Sequence, residues 1–215
     1  MDQVRSTRRE RQAAETRREI VAAGRRLFAE QGYAKTSVGQ IARAAGVSVQ
    51  TIYDSVGSKG AIVRALNDLL DVEGGVPELV GELSATTRPR RVIAISVRIS
   101  RNIVERCDDI LTAVTTSAPT EPDMAAVMAE SRRRHREGVR RAMGLLAGQH
   151  ALARGVSVEH ATDVVSALTE PPVVQTFVKG YGWSLDKWEK WAVATMAELV
   201  LRPARESRQP VGRSD

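Results

Sequence analysis

The chain has 215 residues, long enough to bury one large core or two small ones, and its 42% apolar content excludes wholesale disorder. Its single cysteine, Cys107, excludes an internal disulfide framework, and no apolar run reaches the length of a membrane span. The net charge of +6 is unevenly placed: residues 1–60 hold 11 Lys and Arg against 6 Asp and Glu, and the remainder 21 against 20.

A basic excess confined to the N-terminal quarter points to a polyanion, because neutralising phosphates drives sequence-independent nucleic-acid binding. A merely solvated surface would carry the same charge. The first residues, MDQVRSTRRERQ, lack the apolar core of a signal peptide. The expectation is therefore a soluble, cytoplasmic protein that crosses no membrane.

Strand-type alternation is weak, and Ala, Arg, Glu and Leu dominate the periodic segments, so an all-α fold is expected. The first helix is predicted over residues 16–31, with Ile20, Ala23, Leu27 and Phe28 at 3–4 spacing and Gly32 closing it. Ser37-Val38-Gly39-Gln40 is a capping-box pattern that starts a second helix over 38–45. Gly46 makes a tight turn, Ser48 caps a third helix over 49–54, and Ser58 caps a fourth over 59–71. Gly74-Gly75 and Pro77 mark a boundary between a head, residues 1–73, and a body, residues 74–205; residues 206–215 are expected to be a flexible tail.

In the body, helices are predicted over 77–83, 90–106, 108–116 and 122–148. Ser157 caps a further helix, which Pro171-Pro172 interrupts near residue 168. A short piece over 173–179 comes next, and Ser184 caps the last helix, ending near 201.

A short helix, a glycine turn and a second short helix have the spacing of a helix-turn-helix. Such a motif places its second helix in the major groove, where Val49, Gln50 and Thr51 would meet base edges. A glutamine amide pairs with adenine in bidentate fashion, and a Thr or Val methyl touches a thymine methyl.

Residues 32–66, GYAKTSVGQIARAAGVSVQTIYDSVGSKGAIVRAL, resemble the TetR family of bacterial transcriptional regulators, and ETRREIVAAGRRLFAEQ before them resembles that family's first helix. The capped helices, the AGVS turn, the third-helix tyrosine and the SK pair together carry the resemblance. More loosely, residues 163–193 look like the two-helix dimerisation region of many members. The resemblance implies an all-α homodimer, with an N-terminal three-helix DNA-binding head on a larger helical body that binds a small-molecule ligand and dimerises through its last two long helices. It implies release from a near-palindromic, double-stranded operator when ligand binds. Carried onto this chain, Thr36 or Ser37 would contact a phosphate. Arg43 would lie near the DNA backbone, Val49, Gln50 and Thr51 would face bases, and Tyr53 and Lys59 would bind phosphates. The chain departs from the family pattern at Val49, often a lysine, and at Asp54-Ser55-Val56, often a basic or aromatic pair. The basic segment with Arg5, Arg8, Arg9 and Arg11 either compensates along the DNA or is a solvated arm.

Polar residues on apolar stripes of the body, Asn102, Ser131 and His135, and the aromatic Trp183 are candidate ligand contacts. Packing roles would place the same residues there. The run RRRHREGVRR, residues 132–141, reads as a solvated face rather than a second DNA site. His135, His150 and His160 are too far apart in sequence for a metal motif, and no cofactor motif is present. The competing reading is an all-helical enzyme or ligand-binding protein with an incidental helix-turn-helix-like head. It lacks support, because neither a nucleophile elbow nor a phosphate loop occurs.

Overall fold

Side-chain caps start the short helices where the sequence places them. In the computed structural model, which describes residues 2–203 and side chains from Arg8 onward, Ser37, Ser48, Ser58, Ser157 and Ser184 each accept a hydrogen bond from the backbone three residues on. Each cap satisfies an N–H that the first helical turn leaves unpaired. The caps open α2 (Val38–Ala44), α3 (Val49–Ser55), α4 (Lys59–Glu73), α9 (Val158–Thr169) and α11 (Leu185–Val200). The remaining helices are α1 (Asp2–Gln31), α5 (Val76–Ala85), α6 (Pro89–Arg106), α7 (Asp108–Ser117), α8 (Pro122–Gly148) and α10 (Pro171–Gln175), the last leading into a π-helical turn, Thr176–Gly180.

Two expectations change. The first helix does not begin near residue 16: α1 runs back to Asp2, so the basic segment continues the helix rather than forming a loose arm. Residues 8–15 of that extension are exposed on every side. Pro171-Pro172 interrupts the helical run, since α9 ends at Thr169 with an extended Glu170, and the same pair opens α10, where a proline's missing N–H costs nothing. The piece expected over 173–179 is accordingly the end of α10 and the π-helical turn. The side chain of Arg5 and the tail 206–215 lie outside the described residues.

The head core is built by α1 to α4. Ile20, Phe28, Tyr33, Ile41, Ile52 and Ile62 are all 2% exposed or less, each side chain contributing about 1.5–3 kcal/mol by burial. Phe28 and Tyr33 pack ring to ring, with centroids 5.2 Å apart. Gly46 sits at φ +67°, a left-handed value that lets the chain reverse between α2 and α3.

In the body, α11 lies along α6, and α9 lies along α8. Trp188, Ala192 and Met196 of α11 are fully buried with Val92, Ile93 and Val97 of α6. Trp188 and Ala192 thus belong to the chain's own core, whereas Leu199 of the same helix is 50% exposed. On α8, Met124, Val127, Val139, Ala142, Met143 and Leu146 face inward.

Head and body share contacts, because α1 packs on α7 and α4 on α5, α6 and α8. Arg25 of α1 binds Asp109 of α7 through Nε (2.6 Å) and Nη2 (2.8 Å), and Glu73 of α4 through Nη1 (2.6 Å). Tyr33 Oη donates to Asp123 Oδ2 of α8 at 2.8 Å. No described helix is long and apolar enough to cross a membrane.

Candidate nucleic-acid interface

The capping box at α2 forms in full. Ser37 Oγ accepts from Gln40 N at 3.2 Å, while Ser37 N donates to Gln40 Oε1 at 2.8 Å. Ser37 is exposed beside Lys35. Thr36 turns inward instead. It is 2% exposed, and its hydroxyl donates to Gly32 O at 2.8 Å and accepts from Gln31 Nε2 at 3.1 Å. Of the Thr36/Ser37 alternative, the structure leaves Ser37 as the residue that faces solvent.

On α3, Ile52 packs inward while Val49, Gln50, Tyr53 and Asp54 are exposed. Val49 and Tyr53 are 43% and 52% exposed, large for apolar and aromatic side chains on a monomer. Thr51 is half-buried, its hydroxyl 2.8 Å from Ser48 Oγ. Gln50 Nε2 donates to Asp54 Oδ1 at 2.8 Å. Arg43 is exposed at the end of α2. Lys59 is half-buried: its ammonium donates to Tyr33 O at 3.1 Å and sits 3.8 Å from the centre of the Tyr33 ring. Two further N–H groups of that ammonium remain for an anion. Seven of the eight sequence candidates are therefore wholly or partly solvent-accessible, and Thr36 is not.

Two basic residues escaped the sequence reading. Lys35 stands exposed one residue before Thr36. Arg17 of α1 donates to Ser55 O at 3.0 Å and so holds the end of α3. Nothing local in the sequence announces that second contact, since the partners are 38 positions apart.

The four body candidates do not gather around one space. Asn102 Nδ2 donates to Gly74 O at 3.0 Å, at the end of α4. Ser131 bonds the side chain of Asn67, a buried residue of α4. His135 Nε2 lies 3.3 Å from Ser166 O and 3.1 Å from Thr169 Oγ1 on α9. Because the Thr169 hydroxyl already donates to Val165 O at 2.7 Å, Nε2 carries the proton, and burial pushes the ring's pKa below its usual value. Trp183 packs in an aromatic cluster, 5.0 Å from Phe177 and 5.7 Å from Trp191 between ring centres, with the Lys187 ammonium over its face. A crevice between α1, α4, α7 and α8, lined by Phe28, Leu66, Ile110 and Met124, has room for about one water molecule.

The basic run on α8 is paired with carboxylates. Arg132 meets Glu170, Arg134 meets Asp68 and Asp71, Arg136 meets Asp163, and Arg140 meets Glu137. Its charge is largely neutralised in place. Among the described residues no group of three His, Cys, Asp or Glu side chains is placed to hold a metal. Cys107 is buried against Glu73, and burial raises its thiol to about 12, so it stays protonated.

Residues 20–66 match the sequence profile of the bacterial regulatory proteins of the tetR family. No curated protein matches the chain. Among solved structures, NalD, the secondary repressor of the MexAB-OprM multidrug efflux pump in Pseudomonas aeruginosa, superposes with a TM-score of 0.73 at 20% identity, over 90% of this chain and 100% of that one. The fatty acid degradation regulator FadR from Bacillus halodurans gives 0.68 at 15% identity, over 84% and 93%. SmeT in complex with triclosan gives 0.70 at 16% identity, over 92% and 99%. At these identities the superpositions establish a shared fold alone. Residues 20–66 are thus a segment of the tetR-family type, and the chain as a whole has the fold of TetR-family regulators.

Proposed function

We propose that the protein is a DNA-binding transcriptional regulator of the cytoplasm, a repressor that a small-molecule effector releases from a near-palindromic operator. The observation that carries this reading is the exposed face formed by Ser37, Arg43, Val49, Gln50 and Tyr53, on helices whose inward packing rests on Ile41, Ala42 and Ile52 instead. The chain would work by binding rather than catalysis. Direct readout falls to Val49, Gln50 and Thr51, and phosphate binding to Ser37, Tyr53, Lys59 and the arginines of α1.

Dimerisation is assigned to α9 and α11. Val164, Leu168, Trp191, Ala194 and Leu199 are partly or wholly exposed there, and Ala167 and Ala194 are small enough for close helix approach. A two-fold dimer puts two α3 helices on successive major-groove faces, about 34 Å apart, which makes the operator a near-palindrome. The effector site is assigned to the stretch of α8 where Ser131 bonds α4 and His135 bonds α9. A molecule there touches the helix that carries the head and a dimerising helix together. Asn102 and Trp183, which lie apart from that stretch, are secondary candidates. NalD is a repressor and SmeT was solved with a bound small molecule, which supports repression and ligand response by likeness of fold.

The test is a fluorescence-anisotropy titration of the intergenic DNA beside the protein's own gene, at moderate salt. Binding that falls when compounds raising the thermal stability of the protein are added supports the reading. Equal affinity for that DNA and for a scrambled duplex refutes it.

A further inference from the structure

The exposed face of α3 carries no cation, yet it carries an acid, Asp54, one helical turn after the principal base-reading residue. Gln50 Nε2 donates to Asp54 Oδ1 at 2.8 Å. An ionised carboxylate only accepts hydrogen bonds, so it holds the nitrogen end of the amide and repels the oxygen end. A free glutamine on a helix surface turns its amide over at little cost, which exchanges donor and acceptor and blurs what it reads. With Nε2 held, Gln50 offers its carbonyl oxygen and its second N–H in one fixed order. The adenine edge needs that pair, N6–H donating to the oxygen and N7 accepting from the N–H. Thr51 is held in a similar way. Its hydroxyl lies 2.8 Å from Ser48 Oγ, which also accepts from Thr51 N at 3.0 Å.

We propose that Asp54 is a positioning and specificity-determining residue of the α3 surface. Its Oδ1 orients Gln50 toward adenine, and its second carboxylate oxygen rejects the acceptor edges of guanine and thymine at the adjacent base pair while accepting from a cytosine N4 amino group. The proposal rests on the DNA-reading function above. It also gives the missing cation a reason: a carboxylate near phosphates lowers affinity for every sequence, and the gain is discrimination between sequences. These two effects separate experimentally, because the first depends on salt and is uniform, whereas the second depends on the base.

The experiment is selection from a randomised duplex library with the full-length wild type, the Q50A, D54A and D54N variants and the Q50A/D54A double variant, and then anisotropy on the selected site and its single-base variants at two salt concentrations. Asp54 is exposed, so its substitution leaves the core intact. The wild type is expected to prefer adenine at one position of each half-site by about 5- to 100-fold, the range of one bidentate pair. Q50A and D54A both reduce that preference to about threefold or less, and the double variant loses no more than either single one. D54N keeps an oxygen that accepts from Gln50, so it retains the adenine preference but no longer rejects guanine or thymine next to it. If D54A tightens binding to all sequences by one common factor and leaves the preferences unchanged, Asp54 is only a field charge and the proposal is overturned. If the wild type selects no sequence at all, the DNA-reading function fails, and this role with it.

Discussion

Replacing Arg25 with alanine tests how the head is fastened to the body. The guanidinium of Arg25 makes two bonds to Asp109 (2.6 and 2.8 Å), one to Glu73 (2.6 Å) and one to the Arg106 carbonyl (3.1 Å). Its side chain is 24% exposed and those of the carboxylates 33% and 35%, so the cluster is neither fully solvated nor dry. An exposed pair contributes about 0–1 kcal/mol, and removing one partner of a buried pair costs about 3–5 kcal/mol. Arg25→Ala should therefore destabilise the protein by about 2–3 kcal/mol at pH 7. For a chain of this size that is a fall in Tm of roughly 4–12 °C.

The pH dependence provides a second handle on the same cluster. Hydrogen bonding to Arg25 holds the Asp109 carboxyl below its ordinary pKa in the folded protein. Such a group contributes stability that is present above the unfolded carboxyl value, about 3.9, and is lost as pH falls through the folded value. The gap between wild type and Arg25→Ala should thus be widest near neutrality and shrink below about pH 4. Arg25→Lys keeps the charge but not the two-pronged geometry, and should recover less than half of the loss. Urea unfolding monitored by tryptophan fluorescence at several pH values measures all three. A loss under about 0.5 kcal/mol at pH 7, the size of an ordinary surface change, or a gap that stays constant down to pH 3, would show that the cluster fastens nothing.

Gly24 lies inside α1, where alanine would ordinarily stabilise a helix by about 0.5–1 kcal/mol. A Cβ there would come within 2.7 Å of Ile62 Cγ2, in a stiff, fully buried side chain, so Gly24→Ala should instead cost about 1–3 kcal/mol in thermal unfolding. Lys59→Ala should reduce the slope of log affinity against log salt by about one, without altering sequence preference, in titrations at three salt concentrations. Burial holds the His135 ring below its usual pKa, so stability is full above about pH 6.5 and falls as pH drops toward the folded value, by up to about 1.4 kcal/mol per pH unit. His135→Gln should flatten that window, as read by melting temperature against pH.

Much of the head was legible in the sequence because helix starts and turns are local chemistry. Ser37, Ser48 and Ser58 bond N–H groups three residues away, and the turn at Gly46 requires a φ that glycine adopts freely. The Gln50–Asp54 bond was legible in principle as well, being an i, i+4 pair on one helix. Thr36 and Ser37 looked equivalent as sequence. Only the closure of α1 by the Thr36 hydroxyl separates an inward residue from an outward one. The proline pair at 171–172 was legible as the end of a helix, but not as the start of the next, because a proline that breaks a helix and one that starts a helix are the same residue in the string. The residues after the pair decide whether a new helix follows, and here they form a turn of α10 with Val174 fully buried.

By itself the sequence determined the order of helices, the helix-turn-helix and the exposed polar character of α3, since propensity, capping and apolar spacing act over a few residues. Tertiary structure alone decided that Arg25 bridges α4 and α7, over separations of 48 and 84 positions, and that Tyr33 reaches Asp123 across 90. It also decided that Trp188 and Ala192 fill the body core while Leu199 of the same helix faces outward. Periodicity shows that a helix has an apolar side, but which neighbour covers each part of that side depends on how the helices cross.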